Sequence, residues 1–283
     1  MKIGLALSGG GIRGAAHVGA IKALEENDIN IDAVAGTSAG SIVASLYAMG
    51  YKTDEMIKIF NFFSKSVVSI SPLDMFNERK ELRGIRIGGL TSSRNIELAI
   101  DEAAGLKNIK NIKDIKMPIT IPATDLISGK EIIFTNCTEA QGEEYIHNIE
   151  IGKAVRASST FPGMYAPFEY GKYQFADGGI FDNLPAQETR RLGVDKVISI
   201  KFKLKQSKKQ KTIYNIYMHA LDLMTEKLIE ESIKQSDYVI EIDLKDVKPF
   251  SMKKFDYAYQ QGYIQTLDHI SKIKEALKTG DIS

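Results

Sequence analysis

The first fifty residues alternate between short apolar runs and amphipathic stretches. Lys2 to Leu7 reads as a buried strand, because apolar and small residues follow one another without polar interruption. Ser8 to Gly11 is a glycine turn. From Ile12 to Glu26 the period becomes helical: Ala16, Ala20 and Leu24 share one face, and Lys22, Glu25 and Glu26 lie off it. Ile31 to Ala35 predicts a second short strand, and Ala39 to Met49 a second helix that Gly50 stops. Strand and helix in strict alternation imply a parallel sheet with right-handed crossovers.

Residues 53 to 64 and 92 to 104 predict helices. Between them, 65 to 91 is poorly periodic and carries Ser71-Pro72, Gly84, Gly88 and Gly89; such a stretch is either a lid over a site or a plain surface excursion. Ile119 to Thr124 and Glu131 to Thr135 predict a hairpin turned by Ser128-Gly129. A helix follows over 149 to 157. Lys172 to Ala176 is a strand that runs into Asp177-Gly178-Gly179, and a helix near 184 to 192 and a strand at Lys196 to Ile200 come next. The chain continues as a helix over 213 to 234, a strand over 238 to 242 and a helix over 255 to 278. With no repeat and no low-complexity linker, one domain over residues 1 to 283 is the simplest account.

Composition narrows the possibilities. Formal net charge is +1 on 283 residues, so bulk charge gives no reason to expect nucleic-acid binding. The single cysteine, Cys137, permits no intrachain disulfide and is expected to be a core residue. The run Ile3 to Leu7 is too short for a signal peptide, and no stretch reaches the ~18 apolar residues of a spanning helix. A cytoplasmic protein is expected, with any membrane contact peripheral.

Two glycine-rich motifs carry the chemistry. Gly36-Thr37-Ser38-Ala39-Gly40 is a G-x-S-x-G with a strand before it and a helix after it. A serine on so sharp a turn projects its hydroxyl outward, flanking glycines relieve crowding, and the helix N-terminus favours developing negative charge. The bland alternative is a small-residue helix cap. Gly9-Gly10-Gly11-Ile12-Arg13-Gly14 also follows a strand and opens a helix, and its backbone N–H groups suit an oxyanion hole. Two neighbouring parallel strands put both motifs on one sheet edge. The second motif also matches the dinucleotide fingerprint G-x-G-x-x-G. That rival needs an acidic residue at the end of strand two, and Asp32 lies at its start.

A serine nucleophile needs a base. Of the four histidines, His17 sits inside the first helix on its packed side, and His147, His219 and His269 have weakly marked surroundings. A serine placed after only the second strand also argues against an α/β-hydrolase. Asp177 is the better candidate, at a strand end with two glycines after it. Desolvation beside an apolar ligand would raise its pKa, although Asp-Gly-Gly alone is as readily a turn.

Ser8 to Gly14, Gly36 to Gly40 and Asp177 to Gly179, in this order, resemble the patatin-like phospholipases of bacterial type. Ala123-Thr124-Asp125-Leu126, Ala157-Ser158-Ser159 ahead of Phe161-Pro162, and Asn183-Leu184-Pro185 are similar too. The likeness covers residues 1 to 204, with 205 to 283 as a helical and strand extension. It implies a three-layer α/β/α fold with a mostly parallel sheet, and lipid acyl ester hydrolysis by a Ser–Asp dyad without a catalytic histidine, metal or other cofactor. By position, Ser38 would be the nucleophile, Asp177 the base and the Gly9, Gly10 and Gly11 backbone the oxyanion hole. Ile12, Arg13, Gly14, Gly36, Thr37, Ala39, Gly40, Gly178 and Gly179 would support them, with Arg13 holding the loop or attracting anionic substrate. Ser8 departs from the aspartate many members carry. A transacylase using the same dyad is an alternative that the sequence does not separate, and a non-enzymatic lipid- or nucleotide-binding protein is a third.

Two further features read either way. Residues 201 to 211 hold six lysines and no acid, which suits an anionic membrane surface or a solvated loop. Ile57, Ile59, Phe60, Phe62 and Phe63, with Val67 and Val68, form either an apolar lid or part of the core.

Overall fold

The computed structural model describes residues 1–68, 93–204, 212–245, 247, 249 and 252–278. A mixed sheet carries helices on both faces. Its strands are β1 (Ile3–Leu7), β2 (Ala33–Gly36), β3 (Ile119–Asp125), β4 (Lys130–Thr135), β5 (Tyr145–Ile146), β6 (Phe168–Tyr170), β7 (Tyr173–Asp177), β8 (Lys196–Phe202) and β9 (Tyr238–Ile242). The order along the main path is β5-β4-β3-β2-β1-β8-β9. The run from β3 to β9 is parallel throughout, and the β3–β4 hairpin is antiparallel as its turn residues predict.

The helices are α1 (Ala15–Glu25), α2 (Ala39–Ala48), α3 (Thr53–Val68), α4 (Arg94–Leu106), α5 (Ile151–Ser158), α6 (Ala186–Arg191), α7 (Ile213–Lys234) and α8 (Phe255–Lys278). The strand period of two divides the core between the faces. Ile3, Leu5 and Leu7 join the large cluster under α1, α2 and α8, whereas Ala6 joins a smaller one with Leu184, Val194, Val197 and Ile229 under α6 and α7. On that second face β1 presents only Gly4 and Ala6. A Cβ on Gly4 would come 2.5 Å from Thr189 Cγ2, so small residues there let α6 lie close.

Most expected elements are present within one or two residues of their predicted ends. The first helix opens as a 3-10 turn over Gly11–Gly14, and the two short strands β5 and β6 had no clear period to find. Residues 65–68 belong to α3; the rest of the irregular stretch to 91 lies outside the described residues. Phe60 is buried, stacked on Phe255 at 5.9 Å, whereas Phe62 is exposed; the side chains of Phe63, Val67 and Val68 lie outside those described. Cys137 is half-buried in the turn after β4, not in the core, with its N–H on Thr135 Oγ1 at 3.1 Å. Lys201 belongs to neither reading of the lysine run. It is 5% exposed on β8 and bridges Glu226 of α7 and Glu241 of β9, both at 2.7 Å, while residues 205–211 lie outside the described residues.

Candidate active site

The two glycine motifs meet at the C-terminal ends of β1 and β2. These strands are paired in parallel, with Leu7 opposite Gly36, and a Cβ on Gly9 would lie 3.3 Å from that of Ser38. Ser38 adopts φ 52, ψ −122 between β2 and α2, a left-handed conformation that costs a non-glycine residue about 1–3 kcal/mol. The surrounding structure enforces it. Ser38 N–H donates to Ser158 Oγ at 2.9 Å, the Ser41 hydroxyl donates to the Ser38 carbonyl at 2.6 Å, and the Thr37 hydroxyl donates to the Asp182 carbonyl at 2.7 Å. Gly40 packs against the end of β1, where a Cβ would run into the Leu7 carbonyl oxygen.

Asp177 reaches the site by a route the sequence did not reveal. Its strand does not run with the parallel strands: β7 is antiparallel to β3, pairing Ala123 with Asp177 and Asp125 with Phe175. β2 pairs with the other half of the same β3 edge, Val34 with Ile119 and Ala35 with Thr120. The two strands therefore approach tip to tip, and Ser38 and Asp177 both line one cavity there. Asp177 is 4% exposed; Gly179 N–H donates to its Oδ1 at 2.8 Å, and no group among the described residues completes a hydrogen bond to Oδ2. Burial raises the carboxyl pKa to about 6, against the opposing pull of the neighbouring Ser38 hydroxyl and the Gly179 N–H.

The glycine loop is held from outside the cavity. Gly9 N–H donates to the Asn183 carbonyl at 3.1 Å, and Ile12 N–H to the Pro249 carbonyl at 2.7 Å. Gly9 is therefore not a free donor. Among the described residues, Gly10 and Gly11 N–H have no partner, and both residues line the cavity. Gly11 has φ +60, and a Cβ there would run into the Pro249 carbonyl oxygen. Arg13 Nε donates to the Gly10 carbonyl at 3.1 Å, with its guanidinium over Phe202 at 5.5 Å, so it braces the loop and lines the cavity opposite Asp222. Gly14 packs under Phe60, and Gly178 sits where a Cβ would meet the Pro122 carbonyl.

The histidines stand elsewhere. His17 is fully buried beneath the loop, with Nε2 2.8 Å from the Ser8 carbonyl and its ring 4.6 Å from that of Phe202; burial lowers its pKa to about 4. His147 lies between the carbonyls of Thr135 and Ala140, and His269 contacts the Tyr238 hydroxyl at 2.7 Å. None of the four histidines, all of them among the described residues, lines the cavity. Asp32, required by the dinucleotide reading, accepts the Ile3 N–H at 2.8 Å at the opposite end of β1.

The cavity encloses about 200 Å³ and is mostly apolar, walled by Ile42, Phe60, Ile96, Phe161, Met218, Leu221, Met224 and Leu228. Four of these come from α7, whose role as a wall had one signal in the sequence. Tyr217, Leu221, Met224 and Leu228 follow at spacings of four, three and four, a second apolar stripe beside the packed Ile229 and Ile233. Met224, Leu228 and Ile180 are also exposed, so the rim is apolar as well. Among the described residues no helix is long and apolar enough to cross a membrane.

Fold and site together define a three-layer α/β/α protein with a serine on a strained strand-to-helix turn facing a buried carboxylate. Residues 5–190 match the family model for patatin-like phospholipase, and the chain belongs to that family. An uncharacterized NTE family protein of Mycobacterium tuberculosis H37Rv is 31% identical over 199 residues, covering 70% of this chain and 48% of the relative. The lysophospholipase NTE1 of Meyerozyma guilliermondii is 31% identical over 208 residues, 70% of this chain and 12% of that protein. The chain thus spans about half the length, or less, of these curated relatives. The crystal structure of VipD from Legionella pneumophila aligns over 96% of this chain and 67% of its own, with a TM-score of 0.53 at 16% identity. Human GIVD cytosolic phospholipase A2, in complex with methyl gamma-linolenyl fluorophosphonate, aligns over 98% and 58%, with a TM-score of 0.50 at 10% identity. At these identities the structural likeness establishes the fold alone.

Proposed function

We propose that this chain is a serine acyl hydrolase of lipid esters, of the phospholipase A or lysophospholipase type, with Ser38 as nucleophile and Asp177 as general base. The observation that carries this reading is the meeting of a strained Ser38 with a buried Asp177, whose pKa is about 6, in one apolar cavity. A carboxylate of ordinary pKa is a poor base for a hydroxyl. Desolvation makes Asp177 a stronger one, still mostly ionised at neutral pH.

In the first half-reaction Asp177 takes the Ser38 proton as the oxygen attacks the ester carbonyl. Gly10 and Gly11 N–H, at the N-terminal approach to the sheet's helices, receive the developing oxyanion. One such donor contributes roughly 10²- to 10³-fold in rate. The ester C–O bond breaks and Asp177 returns the proton to the leaving oxygen. Water then attacks the acyl-enzyme, giving its proton to Asp177, and Ser38 is restored with release of the fatty acid.

Ile42, Phe60, Met218 and Leu221 suit an acyl chain, and the exposed Met224, Leu228 and Ile180 would let that chain enter from a micelle or membrane surface with little exposure to water. Peripheral contact with a lipid surface on the cytoplasmic side is part of this reading. The test is fatty-acid release from lysophosphatidylcholine micelles and phosphatidylcholine vesicles by wild type and Ser38→Ala. Release by wild type alone supports the proposal; equal release by both, or none by either, overturns it.

A further inference from the structure

Tyr165 follows the loop that leaves α5 and was not singled out by any motif. It is 6% exposed, packed into the large core cluster, and lines the cavity beside Ser38 and Asp177. Its hydroxyl is buried without a hydrogen-bond partner among the described residues. An unpaired buried hydroxyl is destabilising, and phenylalanine would fill the same space without that cost. Ser159 Oγ and Asp177 Oδ2 are also buried without a completed hydrogen bond among the described residues, and both residues line the same cavity, with the Ser38 hydroxyl the near neighbour of Asp177.

Topology says which atom. The Gly10 and Gly11 N–H groups, without a partner among the described residues, sit beyond the end of β1, on one side of Ser38. Tyr165 lies on the other side, with Asp177. Asp177 N–H donates to the Thr160 carbonyl at 2.9 Å, Tyr165 N–H donates to the Phe161 carbonyl at 3.1 Å, and Pro162 bridges Tyr165. A substrate whose carbonyl oxygen points to the glycine loop turns its leaving oxygen toward Asp177, because Asp177 must protonate it. Tyr165 lines the cavity on that side, near enough for its hydroxyl to feel the Asp177 charge.

We infer that the Tyr165 hydroxyl is a catalytic hydrogen-bond donor to the ester's leaving oxygen, and to the water that occupies the same position when the acyl-enzyme is hydrolysed. The inference rests on the serine hydrolase reading of Ser38 and Asp177. No proton leaves Tyr165: the proton taken from Ser38 still passes through Asp177 to the leaving oxygen, and Tyr165 steadies the charge that builds there as the C–O bond breaks. Burial and the Asp177 charge both raise the tyrosine pKa, so the group stays a donor throughout the working pH range.

Leaving-group dependence tests this. Tyr165→Phe is compared with wild type on a p-nitrophenyl ester and an alkyl ester of the same fatty acid, with thermal unfolding and fluorophosphonate labelling measured alongside. A p-nitrophenolate leaves without help, so its burst of acylation should change by less than about threefold, whereas acylation by the alkyl ester falls about 10²-fold. Steady-state turnover after the burst also slows, because both esters share the deacylation step. Thermal stability should be equal or higher, and labelling should run at the wild-type rate. Equal losses in the acylation step of both esters, or loss of labelling, would mean that Tyr165 only supports the loop, and no change in acylation or deacylation of either ester would mean that the hydroxyl is idle; each overturns the inference. Full turnover by Ser38→Ala would instead sink the hydrolase reading itself, whatever Tyr165→Phe does.

Discussion

Ser38 and Asp177 face each other from the ends of two strands that run in opposite directions along one edge of β3. Neither residue depends on a flexible loop for its position. β2 delivers Ser38 through a turn fixed by hydrogen bonds to Ser158, Ser41 and Asp182, and β7 delivers Asp177 with one oxygen already bonded to Gly179. Asp177→Asn keeps that bond and the shape of the side chain but removes the base. Ester turnover should fall roughly 10⁴-fold or more while the unfolding temperature holds or rises. Steady-state kinetics with differential scanning calorimetry checks both; a drop below tenfold would point to a different base.

The raised pKa of Asp177 has consequences for pH. For activity, the carboxylate must be ionised, so kcat/KM for a neutral ester should rise with pH through about 6 and then level off. For stability the sign is opposite. The folded form titrates near 6 and the unfolded form near 3.9, so between these values the folded state binds more protons. Stability from this group therefore falls as pH rises from about 4 to 6, and at pH 7 the ionised carboxylate costs up to about 3 kcal/mol. Urea unfolding of wild type and Asp177→Asn should show the variant ahead at pH 7 and level with wild type at pH 4. A pH-independent difference would contradict the burial account.

His17 acts in the same window with the other sign. Its folded pKa of about 4 lies below the unfolded value near 6.5, so the folded state binds fewer protons in between, and stability rises with pH from about 4 to 6.5. The two groups oppose each other, and wild-type stability alone hides both. His17→Gln keeps a donor for the Ser8 carbonyl and removes the titration. It should lose less stability on acidification than wild type, and its turnover should fall by no more than about tenfold, the scale of one loop-positioning hydrogen bond. A near-complete loss of turnover with normal unfolding would make His17 part of the chemistry.

Gly40→Ala brings a methyl group against the Leu7 carbonyl at the junction of β1, β2 and α2, where only backbone surrounds it. The strand pair or the turn must shift, so the variant should lose more than about 2 kcal/mol and its Ser38 reactivity together. Gly50→Ala is the matched control for a glycine in open space: with φ +79 it should cost about 1 kcal/mol through backbone strain, with reactivity kept. Equal behaviour of the two in urea titration would contradict the close packing of the turn.

Legibility in the sequence followed the physics of each element. β1, α1, β2 and α2 could be read because their periods are unbroken and both glycine motifs fall at strand-to-helix junctions. Ser38 and the glycine loop were brought together correctly for the same reason, since neighbouring parallel strands end on one edge. The direction of β7 was hidden: a strand's hydrophobic pattern is the same in either orientation, and only the long-range pairing of Phe175 with Asp125 fixes it. Gly9 looked equivalent to Gly10 and Gly11, and only the Asn183 carbonyl, far along the chain, distinguishes its N–H. Lys201 looked solvated because Glu226 and Glu241 are distant in sequence. Tyr165 had no local signal, because an unsatisfied hydroxyl is a property of packing.

The most direct test of the account is intact-mass analysis of wild type, Asp177→Asn and Ser38→Ala after exposure to an alkyl fluorophosphonate. One adduct should form on wild type, much more slowly on Asp177→Asn, and none on Ser38→Ala. An adduct on Ser38→Ala at the wild-type rate, or a wild type that stays unlabelled, would contradict the assignment of Ser38 as an activated nucleophile.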